Sequence, residues 1–384
     1  MILIMSEGIL FDGGFATISL NIFEKIKTPN KKLVHLLFKK ENIVDNKYDV
    51  DYVNVVMNLV TLQSYKNNKD IIKKYICQSH GKNPEVFDID YDLIICLSPK
   101  SLYFASLLYN QTPIIYVKAG LGFSYNIPKI LEYCKQNNIS DFDSTVLSDF
   151  MCKFTIAVED ASVSNNENIK FYSTSKLVTT VISKAIMHNL YKKVNENQVS
   201  ELPFIHIGKS ILQTVTSSDN SKMYDIIFVT NDHNKLVKNS EFVIDIFNKL
   251  DKHKKIVVGK NSSKFINCPN TEVIDFIDNK DLLKIFSKTK ILILPSLYEA
   301  SPNVIIEAIN NNCIPIMSKN SGYSEYVNSP FVVDNFDTMS LIKKINYQLE
   351  TKFDKKDFSE MMKLMDISYD ELTSTINKLT NNKY

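Results

Sequence analysis

At 384 residues the chain is too long for one small core and calls for two or three domains. Hydrophobic residues make up 44% and charged residues 23%, an ordinary globular balance, and a net charge of +2 gives no electrostatic basis for a dedicated nucleic-acid binder. All 45 basic residues are lysine, so an anion site must use lysine point charges, backbone amides or hydroxyls rather than guanidinium forks.

The chain opens on the apolar run MILIM, too short and too soon interrupted for a signal peptide, and no apolar stretch approaches the length of a membrane span. Strands are expected at 2–5, 32–38, 53–57, 93–97, 114–117, 154–157 and 170–173. A second series follows at 226–230, 255–258, 272–276, 291–294 and 314–317. Helical patterns lie between, as at 15–26, 241–250, 280–287 and 304–311. Such alternation argues for an α/β protein with parallel sheets covered on both faces. It breaks between about 196 and 223, in a polar stretch with one short apolar run, FIHI. The domain boundary is placed there: an N-terminal Rossmann-like domain over 1–207, a C-terminal one over 222–367, and a last helix over 368–384 that completes the first. Eight of the nine glycines, Gly13, Gly14, Gly120 and Gly208 among them, fall just beyond the C-terminal end of an expected strand, the edge where open parallel sheets bind ligands. The six cysteines show no C-x-x-C spacing and read as free thiols of a reducing, cytoplasmic compartment. The abundance of Asn, Lys and Ile suggests an AT-rich genome such as that of a large DNA virus, a phage or an AT-rich bacterium.

The most informative stretch is KILILPSLYEASPNVIIEAINNNCIPIM. ILIL is a buried strand that Pro295 and Ser296 end. Ser301-Pro302 reads as an N-cap followed by proline at the first helical position, with a helix running to about Asn311. Its unpaired amides, at Asn303 and Val304, together with the positive dipole end, suit a diphosphate. Glu307 lies on a narrow polar stripe of an otherwise apolar helix. A carboxylate there either faces solvent or accepts from adjacent ribose hydroxyls. Glu299, in the loop before the amides, would face the group attached to the diphosphate, so the two carboxylates bracket a nucleotide sugar.

These residues resemble the large retaining family 4 of glycosyltransferases with the GT-B fold. That family carries P-S-x-x-E-G-x-x-x-x-x-x-E-A, then C-G-x-P-V and G-G-x-x-E. Pro295, Ser296, Glu299, Glu307 and Ala308 match the first element, Pro315 and Ile316 the P-V, and Gly322 and Glu325 the last. More loosely, Asp12-Gly13-Gly14 is similar to the glycine loop after the first strand, FIHIGKSI to the inter-domain element, and FVTNDHNKLVKN to the segment whose two basic residues hold the donor diphosphate. Lys235 and Lys238 take those two places. The sequence departs from the pattern at Ala300 and Asn312, which stand where the family has glycine, and in having lysine for arginine. LIICLSPK carries no histidine where many members place one, leaving Ser98 and Lys100 as the polar groups there.

The resemblance implies two Rossmann-like lobes with parallel sheets facing a central cleft and a C-terminal helix crossing back to the N-terminal lobe. It implies transfer of a sugar from a nucleoside-diphosphate sugar to a glycan, lipid, protein or DNA acceptor, with retention of configuration, no metal and no cofactor. Glu299 would orient the transferred sugar as the catalytic residue, and Glu307 would hold the ribose. Asn303, Val304, Lys235 and Lys238 would hold the diphosphate, and Gly13-Gly14 would let the N-terminal lobe approach it. A non-catalytic bilobal nucleotide- or sugar-binding protein is the alternative. The D-x-D run at Asp88, Asp90 and Asp92 precedes its strand and reads as solvated loop, and His206 and His233 read as structural.

Overall fold

In the computed structural model, residues 1–7, 14–26, 30–37, 50–54, 84–121, 127–137, 144–203, 214, 221–333 and 337–381 are described. The chain divides into two compact units: Met1–Gly122 with Met151–Gly208 and Met365–Tyr384, and Phe123–Phe150 with Lys209–Leu364.

The first unit holds β1 (Ile2–Glu7), β2 (Lys31–Leu37), β3 (Val50–Asn54), β4 (Leu93–Cys96), β5 (Ile114–Lys118), β6 (Ile169–Ser173) and β7 (Val199–Glu201). They pair in the order β3-β2-β1-β4-β5-β6-β7, with every pairing parallel. Near-continuous apolar runs fit strands covered on both faces, and all four residues of β4 are fully buried. The helices of the N-terminal half are α1 (Gly14–Lys25), α2 (Pro99–Leu108), α3 (Ile127–Gln136), α4 (Ser144–Asp149), α5 (Lys153–Asn165) and α6 (Lys176–Met187). Of these, α3 and α4 fall in the second unit.

The run at 154–157, expected as a strand, is the first turn of α5. Ile156, Glu159 and Val163 are buried at helical spacing, which a four-residue apolar window does not reveal. Glu159 sits in that stripe because Lys118, also fully buried, bonds it, and the Tyr116 hydroxyl donates to it at 3.0 Å.

The second unit holds β8 (Tyr224–Asp232), β9 (Lys255–Lys260), β10 (Thr271–Ile274), β11 (Thr289–Leu294), β12 (Ile314–Ser318) and β13 (Val332–Val333), parallel in the order β10-β9-β8-β11-β12-β13. With them come α7 (Ser240–Lys249), α8 (Asn279–Ser287), α9 (Asn303–Asn310) and α10 (Thr338–Glu350). The last helix, α11 (Ser359–Asn381), begins in the second unit and ends in the first, where Leu372 and Ile376 join the core of Ile4, Ile22 and Ile95. The Lys25 ammonium lies 3.5 Å from the centroid of the Tyr369 ring, fastening the same helix to α1.

In each sheet the first strand is internal. The chain adds strands outward on one side, returns, and adds them on the other, so the order reverses between β1 and β4 and between β8 and β11. Just beyond the C-terminal strand ends at such a reversal, the diverging loops leave a crevice. The D-x-D run lies at the opposite edge, where Asp92 pairs with the N-terminal ammonium. No helix among the described residues is long and apolar enough to cross a membrane, and the five described cysteines are free.

At Gly259, near a register shift in the β8–β9 pairing, φ is +135° and a Cβ would stand 1.8 Å from the Thr230 carbonyl oxygen. At Gly120, by contrast, a Cβ would meet nothing within 4 Å. Gly259→Ala is therefore expected to destabilise by about 2–4 kcal/mol and Gly120→Ala by less than about 1 kcal/mol in urea unfolding. Similar midpoints for the two variants would contradict the backbone packing described.

Candidate functional site

The expected residues of the C-terminal half gather at the reversal between β8 and β11. After β8 the chain makes a short 3-10 turn over Leu236–Lys238, and Asn239, in the left-handed region at φ 59°, turns it into α7. Asparagine tolerates that conformation, and its amide donates to the Pro295 carbonyl at 3.2 Å. Leu297 N–H donates to the Val237 carbonyl at 2.8 Å, joining the two loops a second time.

The loop carrying Glu299 is held equally firmly on its other side. Glu299 N–H donates to the Asn320 carbonyl at 3.0 Å, and its own carbonyl accepts from Gly322 N–H at 2.8 Å. The Asn320 amide donates to the Leu297 carbonyl at 3.1 Å and the Ser318 hydroxyl to the Ser296 carbonyl at 2.6 Å. With its backbone fixed, the Glu299 side chain reaches the Lys238 ammonium, and the two form an ion pair whose side chains are 24% and 17% exposed. The lysine expected on a phosphate and the glutamate expected on a sugar thus hold each other. Lys235 stands exposed at the head of the turn, its amide donating to the Asp232 carbonyl at 3.3 Å.

Helix α9 begins one residue later than expected. Pro302 is extended at φ −77° and ψ 99°, and its carbonyl accepts from Ile305 N–H at 3.1 Å, so Pro302 and not Ser301 is the N-cap. The shift leaves Asn303 and Val304 as the first two helical residues, and neither amide has a partner among the described residues. The Asn303 Oδ1 is buried with no hydrogen-bond partner among the described residues, as are the Ser296 and Ser321 hydroxyls. The C-terminal end shows why Asn312 can replace glycine. It adopts φ 56°, Cys313 N–H donates to the Ala308 carbonyl at 2.9 Å, and Asn312 N–H donates to the Ile309 carbonyl at 3.2 Å, a Schellman closure.

Glu307 is only 6% exposed, which removes the solvent-stripe alternative. Its Oε1 accepts from the Asn279 amide at 2.9 Å. Burial raises the carboxyl's pKa, and the Asn279 hydrogen bond opposes that rise. Asn279 was not legible as a site residue: it reads only as the first helical residue after the cap Asp278, and no local spacing links it to Glu307.

In the first unit, Gly13 lies outside the described residues, as do FIHIGKSI and His206, while Gly14 opens α1. Ser98 is the N-cap of α2 in a reciprocal capping box with Ser101, and Lys100 lies 3.4 Å from Glu7, both beyond the strand ends flanking the reversal between β1 and β4. His233 is 1% exposed and packs against Phe228 and Phe265. Its Nε2–H donates to the Val258 carbonyl at 3.1 Å, and burial pushes its pKa down to about 4, so it is neutral at pH 7 and structural. Among the described residues no group of His, Cys, Asp or Glu is arranged to hold a metal ion.

Residues 217–364 match the family described as glycosyl transferases group 1. Two similar solved structures each cover the whole of this chain and are themselves wholly covered. One is HepE of Anabaena in complex with UDP and glucose, with TM-score 0.66 and 12% identity. The other is sucrose-phosphate synthase of Thermosynechococcus elongatus, with TM-score 0.69 and 14% identity. A glycosyltransferase of Rickettsia africae has TM-score 0.63 at 14% identity, covering 99% of this chain and 98% of its own. No curated protein sequence matches the chain. At these identities the likeness shows the fold, the two parallel-sheet Rossmann-like lobes of the GT-B glycosyltransferases.

The burial of Glu307 has a measurable consequence. A carboxyl whose folded pKa is raised binds its proton more tightly in the folded state than in the unfolded one. Its contribution to stability is therefore fully present below the unfolded pKa and is lost as pH rises through the folded value. Glu307→Gln keeps an acceptor for Asn279 and removes the charge. The variant's Tm should exceed that of the parent at pH 7, by about 1–4 °C, with the difference shrinking as pH falls below the ordinary glutamate range. A variant less stable than the parent at pH 7 would contradict the account.

Proposed function

We propose that the chain is a glycosyltransferase that moves a sugar from a nucleoside-diphosphate sugar to an acceptor hydroxyl, retaining anomeric configuration and using no metal. The observation that carries this reading is the arrangement at the β8–β11 reversal. A lysine and a carboxylate pair across two adjoining loops, and the helix that follows carries two unpaired amides at its start and Glu307 further along. Cation and amides suit a diphosphate, and a buried acceptor suits a diol. The match of residues 217–364 to a glycosyltransferase family supports the same assignment.

In this reading the Asn303 and Val304 amides, Lys238 and the exposed Lys235 receive the diphosphate, and Glu307 accepts from the ribose hydroxyls. Glu299 turns from Lys238 to the sugar as the phosphate takes its place on the lysine. The bond from the anomeric carbon to the diphosphate oxygen breaks, and the acceptor oxygen bonds that carbon on the same face. The acceptor's proton passes to the departing phosphate. The protein's share is electrostatic support of the leaving group and positioning of the reactants. Lysine in place of arginine makes that support less directional. The enzyme works in the cytoplasm, where its thiols stay reduced.

Lys238→Ala should weaken nucleoside-diphosphate binding by about 1.5–3 kcal/mol in calorimetry, the range for a hydrogen bond to a charged group. Unchanged affinity in both Lys238→Ala and Lys235→Ala would refute the phosphate role. Glu299→Gln should lower kcat with the full donor without weakening the bare nucleoside diphosphate, because its contact is with the group in motion. Turnover should survive EDTA; activity lost to chelator and restored by manganese would exclude the metal-free reading.

A further inference from the structure

Asn279 plays no part in the function derived above, yet it makes the one hydrogen bond that the Glu307 side chain has among the described residues. The two come from different elements. Asn279 is the first residue of α8, behind the cap Asp278, whose carboxylate accepts from Asp281 N–H at 2.8 Å. Glu307 lies in the middle of α9, which packs against α8. Asn279 is itself exposed, so its side chain fills no core space, while Glu307 is 6% exposed. An exposed amide reaching a buried carboxylate is a poor device for stability, since removing both would leave an apolar helix face. It is a good device for holding a carboxylate in one orientation. The bond occupies Oε1, and Oε2 has no partner among the described residues.

We propose that Asn279 is a positioning residue for the nucleotide: its amide anchors Glu307 Oε1 so that the carboxylate presents Oε2 to the vicinal hydroxyls of the ribose. The inference rests on the assignment of Glu307 to the ribose and adds to it a residue on a neighbouring helix. An anchored carboxylate meets the diol without first losing rotamer freedom, and it keeps an acceptor aimed outward. Without the anchor Glu307 can turn, and the loss falls on ligands that carry the hydroxyls.

That selectivity supplies the test. Calorimetric affinities are measured for whichever of UDP, GDP and ADP binds wild type most tightly and for its 2′,3′-dideoxy analogue, on wild type, Asn279→Ala and Asn279→Asp. The aspartate keeps the size of the side chain, lacks the donor and suits the first turn of a helix, so it guards against an effect of misfolding. The expected result is that wild type prefers the ribonucleotide and that both variants bind it about five- to tenfold more weakly. The same variants should hold the dideoxy analogue within about twofold of wild type, because a bond to the missing hydroxyls cannot be lost. If wild type prefers the ribonucleotide and both variants keep that preference in full, the positioning role is overturned while the ribose assignment stands. If the variants weaken both ligands alike, Asn279 is only structural. If wild type does not distinguish the two ligands, or binds none of the three nucleotides, the ribose assignment falls and this inference with it.

Discussion

The ion pair between Lys238 and Glu299 is the contact on which the site depends. Each residue stands on a loop leaving one of the two strands that flank the sheet reversal, and each loop is held by hydrogen bonds besides the pair. Asn239 and Val237 bind one loop to Pro295 and Leu297, while Asn320 and Gly322 clamp the other at Glu299. The side chains are partly exposed, so the pair adds little to stability. In the structure the Lys238 ammonium is satisfied by the protein's own carboxylate, and under the proposed function a diphosphate would take that carboxylate's place.

The absence of arginine runs through the molecule beyond this pair. Lys222 donates to the carbonyls of Ser287, Thr289 and Asn312 at 2.8–3.0 Å, tying the ends of α8 and α9 to β11. Lys31 closes the end of α1 on the Phe23 and Ile26 carbonyls, and the fully buried Lys255 donates to those of Leu250 and His253. A compact ammonium with rotatable donors suits scattered carbonyls around one point. The same compactness makes an ammonium a less directional partner for a diphosphate than a guanidinium fork.

Much of this was legible in the sequence where local chemistry decides the outcome. Short apolar runs gave β1, β2, β5 and β11. Asn312 in place of glycine could be read as a left-handed closure, since the side chain tolerates that region. The misses share one cause: the deciding partner is distant in sequence. The start of α5 passed for a strand because Glu159 needs Lys118, 41 residues away, to be buried in a helical stripe. Glu307 is buried by the packing of α9, and its hydrogen-bond partner Asn279 stands 28 residues earlier. Lys238 and Glu299 were each singled out, but a separation of 61 residues concealed that they bind each other.

The central claim is that Lys238 serves two anions in turn, Glu299 without ligand and a diphosphate with it. A double-mutant cycle on nucleoside-diphosphate affinity, with Lys238→Ala, Glu299→Gln and the pair, isolates that coupling. The account predicts that Glu299→Gln tightens binding when Lys238 is present, by releasing the ammonium from its partner, and changes little when Lys238 is alanine. Equal effects of Glu299→Gln in both backgrounds, or weaker binding when Lys238 is present, would contradict it.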